Sequence, residues 1–221
     1  MKPISALAFD VYGTLIDTNG VLNKLQQHIG DKAGAVSATW RAKQLEYSFR
    51  RGLMERYVPF PVVTRQALDY ALTANDLEFD EATKVDVQSS YAHLPAFPDA
   101  KLALDKLQYT DTSIFAFSNG PKQVVTDLLK QADLLPYFKG VVSVESTQVF
   151  KPSPIVYQHF ADTAGFNLEQ CALVSGNPFD VMGSINAGMQ GIWVKRSSTA
   201  QFDPWNIEPS RIIEDLSELV S

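Results

Sequence analysis

Short runs of apolar residues recur along the chain, and stretches with helical periodicity separate them. Continuous apolar runs of this kind are typical of strands that are buried on both faces of a sheet. The predicted strands are Ile4–Phe9, Thr112–Phe117, Gly140–Val144, Ala172–Ser175 and Gly191–Val194, with a short sixth strand at Ile212–Ile213. Because helices alternate with these strands, the pattern predicts an α/β fold with a doubly wound parallel sheet and right-handed crossovers.

One long interval departs from this alternation, because only helical patterns occur between residues 18 and 94. The predicted helices of this interval are Val21–Ile29, Ser37–Arg51, Val62–Ala74 and Glu81–Tyr91. A block of helices between the first strand and the rest of the sheet is typical of an inserted domain. The sequence therefore predicts a Rossmann-like core of residues 1–17 and 95–221 and an all-helical cap domain of residues 18–94.

Two flanks of the predicted helix Ser37–Arg51 differ in character. One carries Trp40, Gln44, Tyr47 and Arg51, and the adjacent one carries Arg41, Leu45 and Ser48. Residues three and four apart lie on the same side of a helix.

Composition excludes several classes of protein. With 19 basic and 25 acidic residues among 221, the formal charge is −6, which argues against a surface for nucleic acid or anionic membranes. We find neither the roughly 18 apolar residues that span a membrane nor a signal-peptide pattern. The single Cys171 cannot form an internal disulfide, and its apolar neighbours predict a buried thiol. We therefore expect a cytoplasmic protein without a nucleic-acid or membrane partner.

Polar side chains follow the predicted strands at the points where the strands end. They are Asp10 with Thr14, Ser118 with Asn119, Lys151, and Ser175 with Asn177 and Asp180. Each has an ordinary explanation, since lysines are mostly exposed and Ser-Asn-Gly is a common turn sequence. In a parallel sheet, however, the carboxyl ends of the strands meet at one edge, where ligands bind. We therefore expect these groups to converge.

The converging groups suit a carboxylate nucleophile. Asp10 would need to be held ionised, which a nearby ammonium such as that of Lys151 favours. Hydroxyl and amide groups such as those of Thr14, Ser118 and Asn119 supply hydrogen-bond donors without adding charge. The residues themselves leave the electrophile open.

Four motifs in order resemble those of the haloacid dehalogenase superfamily. They are Asp-x-Tyr-Gly-Thr-Leu from Asp10, Ser-Asn-Gly from Ser118, Lys-Pro from Lys151, and Ser-x-Asn-x-x-Asp from Ser175. The segment Trp40–Tyr47 resembles the cap helix of the (S)-2-haloacid dehalogenase branch. Phosphatase-like members usually carry a second Asp two residues after the nucleophile, where this chain has Tyr12. Their last motif usually begins with Gly-Asp, whereas this chain has Ser175-Gly176-Asn177 there. Because Mg²⁺ is usually held by carboxylates, these departures predict chemistry without a metal or other cofactor.

The resemblance implies a role for each matching residue. Asp10 would displace halide from C2 of an (S)-2-haloalkanoate, and water would hydrolyse the resulting ester to an (R)-2-hydroxy acid. The implied catalytic residues are Asp10, Thr14, Lys151, Ser175, Asn177 and Asp180. The implied substrate- and halide-binding residues are Val11, Tyr12, Arg41, Leu45, Phe60, Ser118, Asn119, Tyr157 and Phe179. Tyr157 is predicted to reach the region of Lys151 or the Asp10 carboxyl group.

The resemblance also implies that the partners are a small 2-haloacid and water, and that the protein is a homodimer. Ala42 and Gly176 depart from residues that are more usual in the branch, which bears on pocket size and substrate preference. Two alternatives stay open at this point. One is a magnesium-dependent phosphohydrolase that uses Asp10, Asp180 and a backbone carbonyl, and the other is a related hydrolase of non-halogenated 2-substituted acids. Neither a zinc-ligand spacing among His28, His93 and His159 nor a glycine-rich nucleotide motif is found.

Overall fold

A six-stranded parallel sheet forms the centre of the molecule in the computed structural model, which describes residues 3–220. The strands are β1 Ala6–Phe9, β2 Ser113–Ser118, β3 Gly140–Ser143, β4 Cys171–Ser175, β5 Gln190–Val194 and β6 Arg211–Ile213. Their order is β3-β2-β1-β4-β5-β6, and every neighbouring pair is parallel. All six predicted strands are therefore confirmed, with β1 in the middle. Residues 1, 2 and 221, which the predicted core ranges include, lie outside the described part of the chain.

Among residues 3–220, eight α-helices surround or cover this sheet. They are α1 Asn19–Ile29, α2 Ala33–Leu53, α3 Phe60–Ala74, α4 Glu81–Ser89, α5 Pro98–Leu107, α6 Lys122–Gln131, α7 Pro154–Ala164 and α8 Pro178–Ala187. Helices α1–α4 follow β1 without an intervening strand, and α5–α8 alternate with the remaining strands. The predicted fold class, a doubly wound parallel sheet with an inserted helical cap, is therefore confirmed.

Both faces of the sheet are covered by apolar layers. Leu7 and Phe9 belong to one buried cluster and Ala6 and Ala8 to another, because successive side chains of a strand point to opposite faces. This explains why β1 appears in the sequence as an unbroken apolar run.

The cap helices differ from the prediction in extent and orientation. Helix α2 spans Ala33–Leu53, rather than the predicted Ser37–Arg51, and its buried side chains include Trp40, Gln44 and Ser48. These lie at successive steps of four, so Ser48 belongs with the Trp40 flank, whereas Arg51 is only half-buried. Trp40 Nε1 donates to the carbonyl oxygen of Thr64 at 2.8 Å, which fixes α2 against α3. Helix α4 ends at Ser89, and the predicted continuation to Tyr91 is part of a 3₁₀ turn, Ser90–His93.

The segments that lead into and out of the helical cap lie side by side. Asp17 N donates to Pro95 O at 2.8 Å, and Phe97 N donates to Leu15 O at 2.8 Å. An antiparallel bridge joins Ile16 and Ala96. Among residues 3–220, no helix is long and apolar enough to cross a membrane.

Candidate active site

Asp10 lies directly after β1, at the carboxyl edge of the central strand. Its amide donates to Val174 O of β4 at 3.0 Å, so the backbone follows the sheet for one more residue. The chain then turns sharply, and the amides of Leu15 and Ile16 both donate to Val11 O at 3.0 Å. Gly13 lies inside this turn with φ +79°, a conformation that favours glycine. The turn brings the side chain of Thr14 back onto the Asp10 carboxylate.

The two oxygens of the Asp10 carboxylate have different surroundings. Oδ2 accepts hydrogen bonds from Thr14 Oγ1 at 2.8 Å, Asn177 Nδ2 at 2.8 Å and Ser175 Oγ at 3.2 Å. Oδ1 accepts a hydrogen bond from Lys151 Nζ at 3.2 Å. Oδ1 thus accepts one hydrogen bond and Oδ2 accepts three, which leaves more of Oδ1 open toward other groups.

Lys151 places a buried ammonium between two carboxylates. Its Nζ donates to Asp180 Oδ2 at 2.8 Å and to Phe117 O at 2.9 Å, in addition to Asp10 Oδ1. These contacts occupy all the ammonium donors. Burial opposes the charge, but the neighbouring carboxylates of Asp180 and Asp10 outweigh it and raise the pKa of Lys151. The lysine therefore carries a positive charge at neutral pH.

Asp180 lies below Lys151 and is held from the other side by Tyr157. The Tyr157 hydroxyl donates to Asp180 Oδ1 at 2.7 Å and approaches Asp180 O at 3.1 Å. A Cβ at position 183 of α8 would collide with this hydroxyl, so Gly183 makes room for it. Burial raises the pKa of Asp180, whereas the positive charge of Lys151 acts to lower it. Burial and the neighbouring Asp180 carboxylate raise the pKa of Tyr157. Tyr157 thus stays protonated and positions Asp180.

Arg41 of α2 reaches across to the same network. It donates to Asn177 Oδ1 at 3.0 Å and to Gln44 Oε1 at 3.3 Å. Asn177 therefore accepts from Arg41 through its amide oxygen and donates to Asp10 through its amide nitrogen. One residue links the helical cap to the Asp10 carboxylate.

Ser118 and Asn119 come from the end of β2. Ser118 Oγ accepts a hydrogen bond from Gly120 N at 3.1 Å, and Asn119 Oδ1 accepts one from Lys151 N at 2.9 Å. The second bond fixes the orientation of the Asn119 amide, and Asn119 lines the cavity.

A cavity of about 350 Å³ lies above Asp10. Ten residues implied by the resemblance line it: Asp10, Tyr12, Arg41, Leu45, Phe60, Ser118, Asn119, Lys151, Asn177 and Phe179. We call the sheet-edge side with Asp10, Lys151 and Asn177 the floor, and the side formed by α2–α4 and the following 3₁₀ turn the cap wall. Five implied residues lie outside the lining: Val11, Thr14, Ser175, Asp180 and Tyr157. Tyr157 reaches the region of Lys151 through Asp180, which its hydroxyl contacts directly.

Sequence reasoning missed several residues of this site. Gln44 and Tyr91 line the cavity, and Tyr91 packs edge-on against Tyr12 at 5.9 Å and Trp40 at 5.4 Å between ring centroids. Gln44 lies three residues after Arg41 on α2, a spacing that could have indicated it. No sequence signal indicated Tyr91. Arg196 was missed too: it donates to Thr14 O at 2.5 Å and supports the turn from behind.

The floor offers a poor site for a divalent cation. Its carboxylates, Asp10 and Asp180, both contact Lys151 Nζ, and one Asp10 oxygen already accepts three hydrogen bonds. Mg²⁺ would have to compete with this ammonium for the same oxygens. Among residues 3–220, no group of three or more His, Cys, Asp or Glu side chains lies in a metal-binding arrangement.

Comparison with known proteins decides the family. A model of haloacid dehalogenase-like hydrolases matches residues 4–188. The chain belongs to this family. It is 32% identical to haloacetate dehalogenase H-2 of Moraxella sp. over 100% of this chain and 98% of that protein. It is 37% identical to the (S)-2-haloacid dehalogenase of Xanthobacter autotrophicus over 88% of this chain and 76% of that protein.

A solved structure of this haloacid dehalogenase family is similar over nearly its whole length. It is that of L-2-haloacid dehalogenase from Xanthobacter autotrophicus with chloropropionic acid covalently bound. The TM-score is 0.92 at 31% identity, covering 98% of this chain and 97% of that chain. The family predicted from the four motifs is therefore confirmed, and so is the branch predicted from the segment Trp40–Tyr47 and the departures from phosphatase-like motifs.

Proposed function

We propose that this protein is a metal-independent (S)-2-haloacid dehalogenase. It converts short (S)-2-haloalkanoic acids and water into (R)-2-hydroxy acids and halide through an ester on Asp10. The observation that supports this most is the asymmetry of the Asp10 carboxylate, with three donors on Oδ2 and the ammonium of Lys151 beside Oδ1. This arrangement leaves one oxygen for attack and prepares the other for the second step.

In the first step, Asp10 Oδ1 attacks C2 of the substrate from the side opposite the halogen. The carbon–oxygen bond forms as the carbon–halogen bond breaks, the halide leaves with the bonding electrons, and C2 is inverted. The ammonium of Lys151 lies beside Oδ1 and holds it in place. Arg41 and Asn119 Nδ2 receive the halide, with the ring of Phe179 beside it, because all three line the cavity next to Asn177 and Lys151.

The remaining parts of the substrate are held by neighbouring groups. Ser118 and the backbone amides of Val11 and Tyr12 bind the substrate carboxylate, since they lie at the ends of the adjacent strands β2 and β1. Leu45, Phe60 and the ring of Tyr12 enclose the alkyl group, because they form apolar parts of the cavity lining. Holding the acid this way presents C2 to Oδ1.

In the second step, water attacks Cγ of the Asp10 ester and gives a proton to Asp180. Charge develops on Oδ2, which already faces donors from Thr14, Ser175 and Asn177, so these groups stabilise the oxyanion without rearranging.

The bond from Cγ to Oδ1 then breaks, and Lys151 protonates the leaving alkoxide. Asp180 returns its proton to Lys151 across their 2.8 Å contact, and Asp10 releases the second water proton. Only the first step touches C2, so the (R)-2-hydroxy acid results.

The proposal extends to the organisation of the protein. Residues 1–17 and 95–221 would form the core domain and residues 18–94 the cap domain. The hydrogen bond between Asp17 N and Pro95 O supports this division, because it joins the two segments at which the chain enters and leaves the cap. The homodimer and the cytoplasmic location stay predictions from the resemblance and the sequence. Light scattering of the purified protein would test the first.

Halide release separates this proposal from its magnesium-dependent alternative. We expect release from (S)-2-chloropropionate in excess EDTA, and none from the Asp10→Ala variant under the same conditions. The absence of release with any short 2-haloacid, together with magnesium-dependent hydrolysis of a phosphate ester, would overturn the proposal.

A further inference from the structure

The cavity is larger than a short haloacid requires. Its volume is about 350 Å³. The substrate 2-chloropropionate has about six non-hydrogen atoms and fills roughly half of this space, even at about 30 Å³ per atom, the share of a liquid water molecule. The rest of the cavity has no occupant in the proposed reaction.

This unfilled part lies toward solvent. At the floor, Asp10 is 8% exposed and Lys151 is 2% exposed. Val85 of α4 and Val124 of α6 also line the cavity, but they are 53% and 38% exposed. The cavity therefore runs outward from the floor to an opening between the cap wall and α6.

The outer part of the cavity is apolar. We call Val85 and Ala92 on the cap side, with Pro121 and Val124 on the core side, the outer subsite. The charged residues of the whole lining are Asp10, Arg41 and Lys151, and all of them belong to the hydrogen-bond network of Asp10. An uncharged chain would therefore meet no charged group there.

The polar neighbours of the outer subsite each donate a hydrogen bond to a backbone carbonyl. Gln88 Nε2 donates to Pro61 O at 2.8 Å, and Ser89 Oγ donates to Asp86 O at 2.8 Å. Exposed apolar surface that continues from a binding cavity is typical of a ligand-binding groove.

We propose that the outer subsite binds the apolar chain of 2-substituted carboxylic acids of about six carbons. The carboxylate and C2 of such an acid occupy the floor, and the carbons beyond C3 lie between Val85 and Val124. The reaction at C2 rests on the proposed function, whereas the binding of the chain does not. The protein would thus accept longer acids than the short ones for which its floor is built.

Binding of unreactive acids tests the subsite without any reaction. Calorimetric titration of the whole protein should show hexanoate binding roughly tenfold or more tightly than propionate, because the longer chain buries additional methylenes. In Val124→Asp this advantage should fall to roughly twofold or less, since a carboxylate would stand beside the chain. Propionate affinity should change much less than hexanoate affinity, so the ratio of the two affinities is the readout.

A matched control distinguishes the subsite from a general effect of the substitution. Ile155 lies in the first turn of α7, as Val124 does in α6, and it is 61% exposed outside the cavity. Ile155→Asp should keep the full advantage of hexanoate. Both substitutions put a negative charge at a helix N-terminus, where it is tolerated. Val85→Asp provides a second test from the cap side.

Turnover provides the second readout. The ratio of kcat/KM for (S)-2-bromohexanoate to that for (S)-2-bromopropionate should fall roughly tenfold in Val124→Asp and stay constant in Ile155→Asp. Equal binding of hexanoate and propionate by the unmodified protein, or an equal loss of both in Val124→Asp, would overturn the subsite. Failure to release halide from either acid would overturn the proposed function, while the hexanoate titrations would still decide the subsite.

Discussion

The floor and the cap wall of the cavity are built by different means. At the floor, Asp10, Lys151 and Asp180 are buried, and their polar atoms are held by other protein groups. The cap wall combines apolar side chains with uncharged polar ones, and Arg41 is its charged group in the cavity lining. Buried charges that lose a partner are expensive, whereas apolar walls accept changes of shape. The difference suggests that the floor fixes the chemistry with the help of Arg41, and that the apolar part of the cap wall selects the substrate.

The largest effect should come from removing the ammonium of the floor. Lys151→Met leaves the buried Asp10 and Asp180 carboxylates without their shared cation, which should destabilise the fold by about 3–5 kcal/mol. Halide release should fall by about 10³-fold, because the ammonium that holds Asp10 Oδ1 and protonates the leaving alkoxide is lost. Denaturant titration and a halide assay measure both effects, with Lys101→Met on the exposed side of α5 as the control.

The contribution of the Lys151 charge to the free energy of unfolding should depend on pH. Since the pKa of Lys151 is raised above its ordinary value of 10.5 in the folded protein, its stabilising effect is complete below pH 10.5. The effect is lost as pH rises through the folded-state value. The difference in unfolding free energy between the unmodified protein and Lys151→Met should therefore shrink at high pH. A difference that stays constant to the highest pH tolerated would contradict the role of the Lys151 charge.

A smaller effect should come from the charged group of the cap wall. Arg41→Lys keeps the positive charge but loses the planar fork that contacts both Asn177 and Gln44. We expect kcat/KM to fall about 10²-fold, while stability changes by less than about 0.5 kcal/mol because Arg41 is only half-buried. Steady-state kinetics and thermal unfolding provide the readouts. Arg51→Lys on the same helix, which lies outside the cavity, should keep full activity. Unchanged kinetics in Arg41→Lys would argue that the cap wall takes no part in the chemistry.

The smallest effect should come from the apolar part of the cap wall. Phe60 lines the cavity and packs against Phe150 with a centroid separation of 5.8 Å. Phe60→Leu should cost less than about 1.5 kcal/mol of stability. It should raise KM by roughly tenfold or less with little change in kcat. Phe79→Leu, outside the cavity, is the matched control. A large fall in kcat in Phe60→Leu would show that the floor and the cap wall are not separable in this way.

The sequence predicted the floor far better than the cap wall, and the reason is local geometry. Asp10, Ser118 and Ser175 lie at or next to the ends of apolar runs, and parallel strands bring such ends together whatever the details of packing. The contacts of the cap wall depend on how separate helices meet. Tyr91 faces Tyr12 only because the 3₁₀ turn after α4 packs over the cavity, and neither residue carries a local signal of that contact.

Two details at the level of single residues have the same origin. Tyr157 contacts Asp180 because α7 and α8 pack closely and Gly183 leaves space for its hydroxyl. That proximity depends on packing between helices, not on periodicity within one. The start of α2 at Ala33 was missed because Ala33-Gly34-Ala35 carries no clear apolar periodicity, and burial of Ala33 and Val36 extends the helix.

Isotope labelling tests the central claim, that the Asp10 carboxylate is the nucleophile, most directly. A single turnover with excess enzyme and (S)-2-chloropropionate in ¹⁸O-labelled water would be followed by mass spectrometry of the product and of the peptide that contains Asp10. The account predicts unlabelled oxygen in the new hydroxyl group of lactate and ¹⁸O in the Asp10 carboxyl group. Labelled lactate and an unlabelled Asp10 peptide would show direct attack by water and contradict the account.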